Sequence, residues 1–206
     1  MIVIVNYGMG NVNSIQNMLK KIGHRAILSQ EPADIERATK LILPGIGAFD
    51  ACASNLRKTG LIPLLTQRVM HRHVPVLGIC VGMQLLARGS EEGERSERGL
   101  GWIAADICYF DRARAPGLKV PHMGWNFVDF KQPAPLAATM PDDARFYFVH
   151  SYHPVCDNPA DVMVTAQYGY EFAAGLQHEN IYGVQFHPEK SHKFGMQLLK
   201  NFVEQA

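Results

Sequence analysis

Short apolar runs at residues 2–6, 41–43 and 74–79, each followed by an amphipathic stretch, constrain this chain more than any other feature. A run such as Ile2-Val3-Ile4-Val5 has no polar face, so it suits a strand covered on both sides. After the first run, Val12, Ile15, Met18, Leu19 and Ile22 recur at helical spacing, and Gly23 ends that helix. Residues 48–56, 61–70 and 83–87 read as further helices. Strands alternating with helices predict an α/β fold with an open parallel sheet flanked by helices on both faces, because parallel neighbours need a crossover that packs back on the sheet.

The pattern changes in the second half. Residues 107–110, 146–149, 162–167 and 181–186 are rich in β-branched and aromatic side chains, with Pro, Asn and Asp clusters between them and little helix. These segments predict an antiparallel extension of the same sheet, and an amphipathic helix is expected over residues 192–202. No linker or repeat interrupts residues 1–206, so a single domain is expected. Twenty basic residues against nineteen acidic ones leave a net charge of +1, too little to draw in nucleic acid or an anionic membrane. No apolar run has transmembrane length, and the opening MIVIVNYG lacks a basic leader, so it reads as a strand. Cys52, Cys80, Cys108 and Cys156 are scattered with no CxxC pair, which argues against a zinc knuckle or disulfide framework and for a reducing cytoplasm. The charged residues 91–98 read as a solvated loop.

The strongest chemical signal is Gly78-Ile79-Cys80-Val81-Gly82 between a buried strand and an apolar helix. This is the arrangement of a nucleophile elbow, with a thiol in place of a hydroxyl. A tight strand-to-helix turn strains its central residue and needs small neighbours two positions away on each side, which Gly78 and Gly82 supply. A thiol nucleophile needs a base and a group to orient that base. Val184-Gln185-Phe186-His187-Pro188-Glu189 enters as a strand, where residues two apart share a face, so His187 and Glu189 are candidates for both roles. Acyl transfer also needs an oxyanion hole. The N–H of Val81, just after the nucleophile, and one from Ile46 or Gly47 in the turn Pro44-Gly45-Ile46-Gly47 are the candidates. Both lie where parallel strands end, which is where sites gather in open α/β sheets. Tyr7-Gly8-Met9-Gly10-Asn11 is half of a dinucleotide fingerprint, but Asn13 stands where the third glycine belongs, so no such cofactor is expected. His71 and His73 are two apart on an expected helix and face apart, so no metal site is expected.

Taken together, PGIG, GICVGMQ and VQFHPE, in that order and spacing, resemble the class I (triad) glutamine amidotransferases. NYGMGN, Pro121-His122-Met123-Gly124-Trp125-Asn126, Phe148-Val149-His150-Ser151-Tyr152 and HPEKS narrow the likeness to a branch of that family, the glutaminase subunits of imidazole glycerol phosphate synthases. The resemblance spans essentially the whole chain. It implies a flavodoxin-like sheet, hydrolysis of L-glutamine to glutamate and ammonia, no cofactor, and a (β/α)8-barrel cyclase partner in a heterodimer. The partner would use the ammonia to make imidazole glycerol phosphate and aminoimidazole carboxamide ribotide in histidine biosynthesis. Carried onto this sequence, Cys80, His187 and Glu189 are the triad. Gln84, Glu92, His150 and Ser151 fall where the family holds glutamine, and Asn11, His122, Trp125 and Lys190 fall where it meets the barrel. Ile46 and Val81 stand where the family often has Val and Leu. Asn6-Tyr7 and residues 191–195 also resemble a branch that supplies ammonia for amidating a surface-polysaccharide sugar, so the acceptor stays open at the level of sequence. A stand-alone thiol hydrolase on a similar sheet is a further alternative.

Overall fold

The N-terminal alternation folds as its pattern requires. In the computed structural model, which describes residues 1–93 and 98–206, β1 (Ile2–Val5) leads to α1 (Val12–Lys21), and β2 (Ala26–Ser29) to α2 (Pro32–Arg37). β3 (Lys40–Gly45) then leads to α3 (Phe49–Lys58). α4 (Ile62–Thr66) continues through a π-helical turn (Gln67–His71) to β4 (Val76–Cys80) and the short α5 (Val81–Gln84). The second half holds β5 (Gly89–Ser90), β6 (Ala105–Tyr109), β7 (His122–Phe127), β8 (Asp129–Phe130), β9 (Arg145–His150) and β10 (Tyr152–Cys156). It ends with β11 (Val162–Tyr168), β12 (Tyr170–His178), β13 (Ile181–Val184) and α6 (His192–Gln205). Residues 94–97 of the charged run, expected as a solvated loop, lie outside the described residues.

Eight strands form the main sheet in the order β2-β1-β3-β4-β13-β12-β11-β8. β2, β1, β3, β4 and β13 run parallel, and β12, β11 and β8 add the antiparallel extension. The apolar runs supply the parallel centre: every residue of β1, β4 and β13 is buried. α1 buries Ile15 and Leu19 against it, and Lys20 and Lys21 in its last turn complement the helix dipole.

Two expectations are corrected. Residues 107–110 and 146–149 do not extend the main sheet: β6 belongs to a three-stranded sheet with β10 and β5, and β9 pairs with β7 in a two-stranded ribbon. Residues 181–184 do join the main sheet, but parallel to β4. Strand propensity identifies a strand without naming its partner, and for β9 aromatic packing sets where the ribbon lies. Phe146 on β9 stacks on Phe186 at 3.9 Å, and Phe148 meets Phe186 and Phe172 edge-on. The ribbon is thereby fastened to the main sheet beside the end of β13.

α6 closes the C-terminal side. It buries Phe194, Leu198, Leu199 and Phe202 and packs on the 3-10 turn Pro188–Lys190. Gly195 makes that approach possible, because a Cβ there would stand 1.8 Å from the Pro188 carbonyl oxygen. Gly195→Ala must therefore push the helix off the turn, and we expect a loss of about 1–3 kcal/mol of stability or more, the usual range for overpacking. Urea denaturation measures it, with an unchanged midpoint as the contrary result.

Candidate active site

β4 ends on Cys80, whose backbone stands at φ 54° and ψ −115°. A side-chain-bearing residue rarely adopts that conformation, and it survives only where the surroundings enforce it. Here they do. A Cβ on Gly82 would lie 1.9 Å from the Leu43 carbonyl oxygen, and one on Gly78 would lie 2.7 Å from the Gly82 carbonyl oxygen. Both positions of the sequence pattern thus face backbone too close for any side chain. The helix after the elbow is shorter than expected. α5 spans only Val81–Gln84, so its macrodipole contributes little at Cys80.

His187 follows β13, the parallel neighbour of β4, and lines the same cavity as Cys80. Its Nδ1 meets Glu189 Oε1 at 2.8 Å, with both side chains almost fully buried. Burial alone would lower the His187 pKa. Hydrogen bonds with Cys80 and Glu189 and their charges outweigh it and raise the pKa to about 10. Ser191, fully buried, ties the turn to β9: its hydroxyl donates to the His187 carbonyl oxygen and accepts from the Tyr147 N–H. Sequence reasoning assigned Ser191 no role, since a serine in a loop carries no signal of its own. It also missed Gln185, whose amide donates to Cys80 Sγ at 3.8 Å while accepting from Gln84 Nε2 at 3.1 Å.

A cavity of about 350 Å³ opens over the sulfur. Ile46, Gly47, Val81, Gln84, Glu92, His150, Ser151 and Lys190 line it together with Cys80 and His187. The candidate oxyanion residues and the four candidate glutamine-holding residues therefore converge on the nucleophile. Glu92 spends one carboxylate oxygen on the Phe49 N–H at the start of α3. His150 offers no ring nitrogen. Its Nδ1 donates to the Tyr152 carbonyl oxygen at 2.7 Å, so its Nε2 is an acceptor, and His122 Nδ1 fills it at 2.9 Å. His122 Nε2 in turn accepts from Asn126. Both imidazoles are neutral with defined tautomers, and burial lowers the His122 pKa to about 4 and the His150 pKa well below its ordinary value.

The candidate partner-facing residues do not all reach the surface. His122 is 3% exposed, its ring enclosed by Phe148, Tyr168 and His150, so contact with another chain would be relayed by its neighbours. Asn11 is half-buried just before α1. Lys190 is exposed at the cavity rim, its ammonium over the Tyr147 ring. Trp125 is 45% exposed and stacks on His192. Met123 and Phe127, also exposed, flank it on the same face of β7 and make an apolar stripe. Alternation of large apolar residues along residues 123–127 was the available signal for that stripe.

This thiol, imidazole and carboxylate lie together at the carboxyl ends of parallel strands on an open α/β sheet. The chain belongs to the class-I glutamine amidotransferases, whose family model matches residues 3–206. It is 50% identical over 206 residues to "Imidazole glycerol phosphate synthase subunit HisH 2" of Methanococcus maripaludis, covering 100% of both chains. It is 52% identical over 204 residues to the protein of the same name from Pseudomonas aeruginosa, covering 99% of both. Among solved structures, "Structure of PurLQS from Thermotoga maritima" shares the fold with a TM-score of 0.74 at 15% identity, covering 98% of this chain and 96% of the other.

The buried neutral histidines fix a pH dependence. Above about pH 6.5, the ordinary imidazole pKa, they are neutral in folded and unfolded chains alike. Below it the unfolded chain takes up protons that the folded chain refuses until its own lowered pKa is reached, so acid favours unfolding. The urea midpoint is expected to fall from about pH 6.5 toward about pH 4. His122→Phe should make that slope shallower by up to about 1.4 kcal/mol per pH unit, the contribution of one proton. Identical slopes in the two proteins would show that His122 is not buried neutral.

Proposed function

We propose that this chain is the glutaminase subunit of an imidazole glycerol phosphate synthase, acting in the cytoplasm as one domain over residues 1–206. The observation that carries the reading is the meeting of Cys80 and His187 in one cavity, with Glu189 bonded to the His187 ring from behind, in a chain that matches synthase subunits from end to end. Cys80 passes its thiol proton to His187 and its Sγ attacks the side-chain amide carbon of L-glutamine, giving a tetrahedral oxyanion. The N–H of Val81 and one from Ile46 or Gly47 bind that oxygen. The carbon–nitrogen bond breaks, His187 gives its proton to the departing nitrogen, and ammonia leaves. His187 then takes a proton from water, whose oxygen attacks the thioester, releasing glutamate and restoring the thiol. Glu189 holds the His187 ring and stabilises its protonated form. Gln84, Glu92 and Ser151 hold the amino-acid end of the substrate, and His150 contributes its ring face and backbone. These steps draw on side chains, backbone amides and water, with no metal or organic cofactor.

The partner in this reading is a (β/α)8-barrel cyclase forming a heterodimer, with histidine biosynthesis as the setting. The exposed Met123–Trp125–Phe127 stripe and Lys190 at the cavity rim support a docking face beside the site mouth. Asn11 borders the same face in this reading, and His122 stiffens it from beneath. No helix among the described residues is long and apolar enough to cross a membrane.

With the cyclase partner assembled, Cys80→Ala is expected to abolish glutamine-dependent product while leaving ammonia-dependent synthesis intact. Equal loss of both activities would overturn the proposal. Trp125→Ala is expected to weaken assembly about 30-fold, roughly 2 kcal/mol, as for an aromatic anchor. Titration calorimetry with the cyclase measures it, and an unchanged Kd would remove Trp125 from the interface.

A further inference from the structure

A second set of polar groups, outside the triad, converges on the turn that closes β3. Tyr7 follows β1, the strand beside β3, and is only 4% exposed. Its hydroxyl donates to the Pro44 carbonyl oxygen. Cys52 sits in the first turns of α3, and helical side chains lean toward the helix N-terminus. Its Sγ therefore reaches back over the turn and donates to the Ile46 carbonyl oxygen at 3.3 Å. Burial pushes the Cys52 thiol up to about 11, and burial with the neighbouring Cys52 raises the Tyr7 phenol further above its ordinary value. Both groups keep the protons they donate throughout the physiological range.

Phenylalanine and alanine would fill these positions without the cost of burying polar atoms. What the two donors achieve is to pin two carbonyls, two residues apart, in a turn that contains Gly45 and Gly47. A peptide unit is planar and trans, so its C=O and N–H point in opposite directions. Drawing the Ile46 oxygen toward α3 fixes the direction of the Gly47 N–H, away from that helix. Ile46 and Gly47 line the cavity that holds Cys80. Gly47 stands at φ +87°, in a region that glycine enters and leaves freely, so without an anchor this peptide has other orientations open to it.

We propose that Tyr7 and Cys52 are positioning residues for the oxyanion hole, and that their hydrogen bonds to the Pro44 and Ile46 carbonyls hold the Ile46–Gly47 amide in its catalytic orientation. The inference rests on the glutaminase reading above. Neither side chain touches substrate; each acts through the turn. An oxyanion donor works only once charge develops on the substrate oxygen, so a mis-aimed turn lowers kcat and leaves KM in place.

The test compares Tyr7→Phe, Cys52→Ala and Cys52→Ser in the complete two-chain enzyme, with kcat and KM for glutamine, ammonia-dependent synthesis and Tm measured for each. Tyr7→Phe and Cys52→Ala are expected to lower kcat about tenfold each, a part of the roughly 100- to 1000-fold that loss of an oxyanion donor costs. KM and ammonia-dependent synthesis should not change. Cys52→Ser keeps a donor and should recover most of the rate. Full kcat in both Tyr7→Phe and Cys52→Ala overturns the proposal. So does a loss that follows Tm and is not recovered in Cys52→Ser, because the pair would then be packing alone. Cys80→Ala run alongside separates the two levels of the reading. If Cys80→Ala still hydrolyses glutamine, the glutaminase reading fails and the brace with it. If it is inactive while the other variants are fully active, the brace alone fails.

Discussion

The structure turns on a contact between two pieces of backbone. The carbonyl end of β3 lies so close to the first turn after Cys80 that a single methyl group on Gly82 would fall inside the Leu43 carbonyl. That approach forces Cys80 into its positive-φ conformation and lifts its sulfur to the edge of the sheet. It also sets the turn of residues 44–47 beside the sulfur, so one steric constraint places the candidate nucleophile and the candidate oxyanion amides on one cavity. Strain at Cys80 is sustained because β4 lies between two parallel partners and cannot relax sideways.

Around that centre, electrostatics are organised by burial. His187 and Glu189 are nearly inaccessible to water, so their hydrogen bond works where the effective dielectric is low. A buried imidazole with no carboxylate bonded to it favours the neutral form, as His122, His150 and His153 do. His187 differs because a carboxylate and a sulfur flank it. Four histidines thus fall into two kinds: His187, tuned to hold a proton, and three held neutral, of which His150 lines the cavity and His122 and His153 pack with the aromatic rings beside it. Phe110 and Phe172 pack against the rings of the neutral group and keep them dry.

Legibility in the sequence followed signal length and chemistry. α1 and α6 were readable because their apolar residues repeat over several turns. β2 and α2, of four and six residues, were too short to show a period and were not anticipated. The elbow was readable because Gly-x-Cys-x-Gly between apolar runs has few other uses. Gln185 and Ser191 were not, since an amide and a hydroxyl gain meaning only from what they face. Tyr7 appeared in the sequence only beside an incomplete dinucleotide fingerprint, and its contact with Pro44 depends on β1 and β3 lying side by side.

The sequence by itself determined three central strands of the parallel sheet, the candidate thiol and the candidates for its base, because these rest on local patterns: continuous apolar runs, small residues flanking a turn, and a strand that places alternate residues on one face. Only the tertiary structure decided that β6 and β9 leave the main sheet, that His150 has no ring nitrogen to offer, and that His122 lies under the surface. Each of those outcomes depends on which groups meet across long separations in the chain. Strand partners, tautomers and burial are properties of pairs brought together by packing, and a one-dimensional pattern does not carry them.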